Sequence, residues 1–148
     1  ASARASTCVP WMCAATGSSL HLVGELGFKT DEKAVRRAGL DYWHLVRVHM
    51  HRDFDTCMRA IGCTSPLLLA TSAEKSFLDA PYAPGGVLVF GRESVGLPEE
   101  LLARYPEGQY GIPMLRGSVR SLNLANAVAI VLFRALEAVG SFSAPFME

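Results

Sequence analysis

The amino-acid sequence predicts an α/β fold, a parallel sheet flanked by helices. Two observations carry this reading. The runs "PLLLAT" (residues 66–71) and "VLVFG" (residues 87–91) are apolar without a break, as strands covered on both faces are. Such runs alternate along the chain with stretches of helical character. A length of 148 residues suits one domain, 1–148, with its own core.

Taken in order, "SSLHLVG" reads as a strand. "TDEKAVRRAG" follows as a short helix, with Thr30 as N-cap, Asp31 and Glu32 in the first turn, and Gly39 past its end. "HLVRVHM" alternates as a strand does, and "DFDTCMRAIG" makes a helix closed by Gly62. "PLLLAT" is a buried strand. "KSFLDAPYAPGG" is irregular, because two prolines and a Gly-Gly pair forbid a long element. "VLVFG" is the strongest strand signal in the chain. Pro98 opens the helix "PEELLARY" where a missing N–H costs nothing. "YGIPM" is a short strand ended by Pro113, and "LRGSVRS" is a loop. The last helix runs from about Leu122 to Val139, with Leu124, Val128, Val131, Leu132, Ala135 and Val139 as its apolar stripe.

Half of the residues are apolar and 19% are charged, which describes a globular chain and not a disordered one. Formal net charge is zero, so no global field draws the chain to nucleic acid or to DNA in particular. A polyanion partner must be held by a local patch. No apolar run is long enough to cross a bilayer, and the nearest, "LANAVAIVLFRALEAVG", is broken by Asn126, Arg134 and Glu137. The four cysteines, Cys8, Cys13, Cys57 and Cys63, are spaced CX4C and CX5C, which is no metal-ligand pattern. They read as reduced thiols, and no metal site is expected. The opening "ASARASTC" has Ala, Ser and Arg but no acid. It fits a truncated or disordered terminus, or the tail of an organellar transit segment. The expected compartment is the cytoplasm, with an organelle as the alternative.

Two stretches concentrate chemistry. In "VLVFGRESVGLP" a buried strand ends at Gly91, and Gly91 and Gly96 bracket Arg92, Glu93 and Ser94. Ligands of open parallel sheets sit beyond the carboxyl ends of strands, and a glycine there lets main chain approach one. A plain glycine turn with Glu93 in solvent explains the same residues. The stretch is neither a dinucleotide fingerprint nor a P-loop. In "IPMLRGSVRSLNLANAVAI", Arg120, Ser121, Asn123 and Asn126 crowd the start of an otherwise apolar helix. Capping needs fewer polar groups than that.

Together, "FGRESVGLP" and "IPM…RSLNLANAVAIVLFRAL" resemble the second and third signature motifs of the SPOUT class of methyltransferases. More narrowly, with "KAVRRAGLDYWHLVRVHMHRDF", they resemble the tRNA ribose 2′-O-methyltransferases that modify the wobble nucleotide. The likeness covers residues 13 to 140. It implies a carboxyl-terminal trefoil knot, a feature that ordinary chain connectivity does not suggest. It also implies S-adenosylmethionine as cofactor, a homodimer, and the anticodon stem-loop of tRNA as partner.

By motif, the resemblance implies that Ala70, Thr71, Gly91, Ile112 and Ser121 contact the cofactor and that Glu93 braces its loop. Ser121 and Asn123 would lie against the reacting ribose. Arg36, Arg37 and Tyr42 would meet the anticodon loop. The family's first motif, a strand, an Asn-Gly loop and an arginine, has no clear counterpart in residues 1–12, where Trp11 holds the arginine's register. Arg4 is the candidate replacement. A non-catalytic RNA-binding member of the class is the alternative, and a flavodoxin-like nucleotide-binding module is a more distant one.

Overall fold

A computed structural model of the chain describes residues 3–24, 43–92 and 95–143. It resolves into two compact units, Ser2–Thr64 and Ser65–Glu148. Arg36, Arg37, Tyr42 and Glu93, and the helix expected at residues 30–39, lie outside the described residues.

The first unit opens with helix α1, Ala3–Thr16. This corrects the expectation of a disordered opening for residues 3–8. Ala3, Ala5, Met12, Ala14 and Ala15 are good helix formers, and they outweigh Pro10, which lies inside the helix and contributes no N–H. At the far end Thr16 Oγ1 donates to the Met12 carbonyl at 2.8 Å. Strand β1, Leu20–Val23, then pairs in parallel with β2, Val48–His51, with His21 opposite His49 and Val23 opposite His51. The pairing is extended by bonds from Leu20 N to Arg47 O at 2.9 Å and from Gly24 N to His51 O at 3.0 Å. "HLVRVHM" is therefore strand only in its second half. Trp43–Leu45 form a 3-10 turn, and the ladder starts at Val48.

Helix α2, Phe54–Ile61, is capped at both ends. Asp53 accepts from Thr56 N at 2.7 Å, and that bond, with help from Arg52, holds its carboxyl down at about 2. Gly62 closes the helix with φ of 75°, a left-handed turn that glycine adopts without strain. Cys57 and Met58 are the buried face of α2.

In the second unit, β3 (Leu67–Leu69) is the middle strand of a parallel sheet in the order β4–β3–β5. Its neighbours are β4, Leu88–Phe90, and β5, Gln109–Tyr110. Three consecutive leucines suit a strand buried on both faces, and Leu68 is wholly inaccessible. Leu67, Leu69, Leu88, Phe90 and Ile112 pack around a core of Phe77, Tyr110 and Val131. Helix α3, Glu99–Arg104, follows Pro98, which occupies the capping position and not the first helical one. Helix α4, Leu124–Ala138, buries Ala125, Val128 and Val131, a narrower stripe than the periodicity predicted. Burying a side chain such as Val131 stabilises the unit by about 2 kcal/mol.

"YGIPM" is corrected as well. The ladder ends at Tyr110, because Gly111 turns away to bridge with Ser76. Among the described residues, no helix is long and apolar enough to cross a membrane.

Candidate active site

The second unit brings three turns to one edge. Leu69 is in register with Phe90 on one side and with Tyr110 on the other. The residues that follow, Ala70, Gly91 and Gly111, thus leave the carboxyl edge of the sheet abreast. Thr71 and Ile112 come one step later on their strands. Of the residues that sequence reasoning placed at a cofactor, Ala70, Thr71, Gly91 and Ile112 are gathered here.

The Ala70 turn wraps the Gly111 turn. Ala70 N donates to Tyr110 O at 3.0 Å, and Ala73 N folds back onto Ala70 O at 3.2 Å. Gly111 donates to Lys75 O at 2.8 Å and accepts from Phe77 N at 2.9 Å. A Cβ at Gly111 would stand 3.1 Å from Ala70 O and 3.2 Å from Ala73 O, so the two turns fit only with hydrogen at this position or with a small shift. Lys75 Nζ is tied to Glu107 Oε2 at 2.9 Å. That pairing pushes the Glu107 carboxyl below its usual range and the Lys75 ammonium above its own, so neither serves as a base near neutrality.

The Gly91 turn is closed by the chain itself. Gly96 N donates to Arg92 O at 2.8 Å, Arg92 N donates to Gly96 O at 3.3 Å, and Gly96 has φ of 68°. This draws the Gly96–Leu97 backbone onto Gly91, where a Cβ would lie 2.1 Å from the Gly96 carbonyl carbon. The sequence left that space either to a ligand or to a plain glycine turn. In the structure the chain's own backbone fills it, so the demand for glycine at position 91 is a demand of loop closure.

Ser121 and Asn123 are carried by a separate element, the segment before α4. Pro113 through Ser121 are exposed, and Gly117 turns the loop with φ of 74°. Ser121 was expected to open the last helix, but the helix starts at Leu124. Asn123 is its N-cap, with Oδ1 accepting from Ala125 N at 2.9 Å and from Asn126 N at 3.4 Å. Arg120 and Asn126 are exposed beside it. Arg4 lies in the first turn of α1, in the other unit. Sequence reasoning passed over His21 of β1, which strand pairing sets on one face with His49 and His51 of β2.

A parallel sheet with three backbone turns abreast at its carboxyl edge defines an open α/β fold, the class of sheet whose ligands bind beyond that edge. The chain belongs to the SpoU rRNA methylase family, whose model matches residues 9–133. It is similar to the tRNA (cytidine(34)-2′-O)-methyltransferase of Burkholderia ambifaria, with 42% identity over 132 residues that cover 87% of this chain and 84% of the relative. A solved structure described as giving insights into the 2-OH methylation of C/U34 on tRNA is 38% identical. It superposes with a TM-score of 0.81 over 90% of this chain and 87% of that one. An AdoMet-bound rRNA methyltransferase from Sinorhizobium meliloti is 26% identical, with a TM-score of 0.71 over 89% of this chain and 50% of that one.

Proposed function

We propose that this chain transfers a methyl group from S-adenosylmethionine to the ribose 2′-hydroxyl of the wobble nucleotide, position 34, of a tRNA. The observation that carries the proposal is the row of turns at Ala70–Thr71, Gly91 and Gly111–Ile112, standing where open α/β sheets take their ligands. Turns of this kind offer main-chain donors and acceptors and little side-chain charge, which suits a cofactor that is itself zwitterionic and cationic.

Bound there, S-adenosylmethionine supplies a methyl on a positively charged sulfur, an electrophile that needs no further activation. The chain's task is then alignment, exclusion of water and disposal of one proton. Ala70, Thr71, Gly91, Ile112 and Ser121 hold the cofactor by main chain, and Glu93 braces the Gly91 turn. Asn123 and Ser121 orient the ribose. Arg4 is the residue assigned to assist loss of the 2′-hydroxyl proton. Arg36, Arg37 and Tyr42 engage the anticodon loop, through phosphate charge and base stacking.

The same reading takes the whole chain as one methyltransferase domain, with its terminal segment threaded as a trefoil knot. It is a cytoplasmic homodimer. Support for the dimer comes from α4 and the turn after it, where Ile130, Phe133 and Phe142 are each more than a third exposed and the two phenylalanine rings touch.

The test is methylation of tRNA transcripts carrying C or U at position 34, followed by nuclease digestion and mass spectrometry. The expected product is a 2′-O-methyl group at 34, absent when that nucleotide is 2′-deoxy. Cofactor binding by calorimetry without methyl transfer would establish the non-catalytic RNA-binding alternative. No cofactor binding at millimolar concentration would overturn the reading.

A further inference from the structure

The first unit holds a cluster that methyl transfer does not use. His21 on β1 and His49 and His51 on β2 share one face of the two-stranded ladder. Their rings form a stack, with His21 at 4.7 Å from His49 and 5.2 Å from His51 between centroids. His21 Nδ1 and His51 Nε2 are 2.9 Å apart. Helix α2 lays Cys57 over the same face, 2% exposed. One ring nitrogen of His21, one of His51 and the Cys57 sulfur all lie within 4.8 Å of one another.

We propose that His21, His51 and Cys57 form a binding site for a thiophilic divalent cation, Zn2+, with water as the fourth ligand. Tetrahedral zinc with ordinary Zn–N and Zn–S bonds sets its ligand atoms roughly 3.3 to 3.8 Å apart. The three atoms therefore need to close by about 1.5 Å at most, and the His21 Nδ1–His51 Nε2 pair to open by about 0.4 Å, movements within reach of side-chain torsions. The donor set is chemically apt, two imidazoles and one thiol matching a borderline-soft ion. Burial and the neighbouring imidazoles push the His21 pKa down, which keeps its nitrogen lone pair available. Burial pushes the Cys57 thiol up, so the empty site holds a protonated sulfur and the ion displaces that proton on entry. His21 and His51 are only half-buried, which leaves the ion a way in. The metal would pin β1, β2 and α2 together.

The test uses the full chain, reduced, stripped of metal and titrated with Co2+, whose spectrum reports tetrahedral geometry and thiolate ligation. The expected result is saturation at one ion per chain, with a sulfur-to-cobalt charge-transfer band that Zn2+ abolishes by displacement. Cys57→Ser is expected to remove the band and to weaken Co2+ binding by at least about tenfold. His49→Ala, on the same face but outside the triad, is expected to retain both. No charge-transfer band in the parent would overturn the proposal without recourse to any variant. So would a band undiminished in Cys57→Ser, or a loss in His49→Ala as large as that in Cys57→Ser.

Discussion

Among the described glycines, Gly91 is the one where an added Cβ meets the shortest contacts. Its missing Cβ is replaced by the backbone of Gly96 and Leu97 at 2.1 to 2.5 Å, and backbone cannot rotate away as a side chain can. Gly91→Ala is therefore expected to cost on the order of 3 kcal/mol or more in urea unfolding. Gly111→Ala, with its nearest clash at 3.1 Å, is expected to cost about 1 kcal/mol. Equal costs would refute the self-packing account of the Gly91 turn. The bracket of Gly91 and Gly96 was legible in the sequence, and so was the need for a close approach there. What approached was not. A contact between residue 91 and residues 96 and 97 depends on the Arg92–Gly96 bridge, and no local pattern announces that pairing.

At the scale of elements, α4 begins two residues later than its polar start suggested. Ser121, Asn123 and Asn126 are all plausible caps by residue type, and only the bond from Ala125 N to Asn123 singles out the one used. Asn123→Ala is expected to lower stability by about 1 kcal/mol in thermal unfolding, whereas Asn123→Asp, which keeps the accepting oxygen, is expected to leave it nearly unchanged. Methyl transfer separates the two jobs assigned to this residue. If Asn123 also orients the ribose, Asn123→Asp loses activity while keeping its melting temperature. If it retains both, capping is all that Asn123 does. Elsewhere, elements were legible where periodicity and caps agreed, as in α2 between Asp53 and Gly62. They were missed where one residue contradicted the rest. Pro10 concealed α1, and the turn at Trp43–Leu45 took half of a segment whose alternation read as strand throughout.

For the whole molecule, the proposed dimer makes a plain demand. Phe133→Glu places a charge in the exposed apolar patch, at a residue that is itself 44% exposed, and it is expected to convert a dimer into a monomer in sedimentation equilibrium while each chain stays folded. A monomeric parent protein would remove that surface from the argument. Sequence reading supplied the class of fold and, through the resemblance, the family. It did not supply the histidine–cysteine cluster. His21 and His51 are thirty residues apart and meet only through the pairing of β1 with β2, so no spacing rule could connect them. The sheet of the second unit carries a consequence of the same kind for synthesis. Its middle strand is made first, and its two neighbours arrive about twenty and forty residues later. While the ribosome is still adding the stretch that leads to Gln109, the nascent polypeptide has one flank of those leucines open to solvent. Slow translation through that interval would prolong an aggregation hazard that the finished fold no longer has.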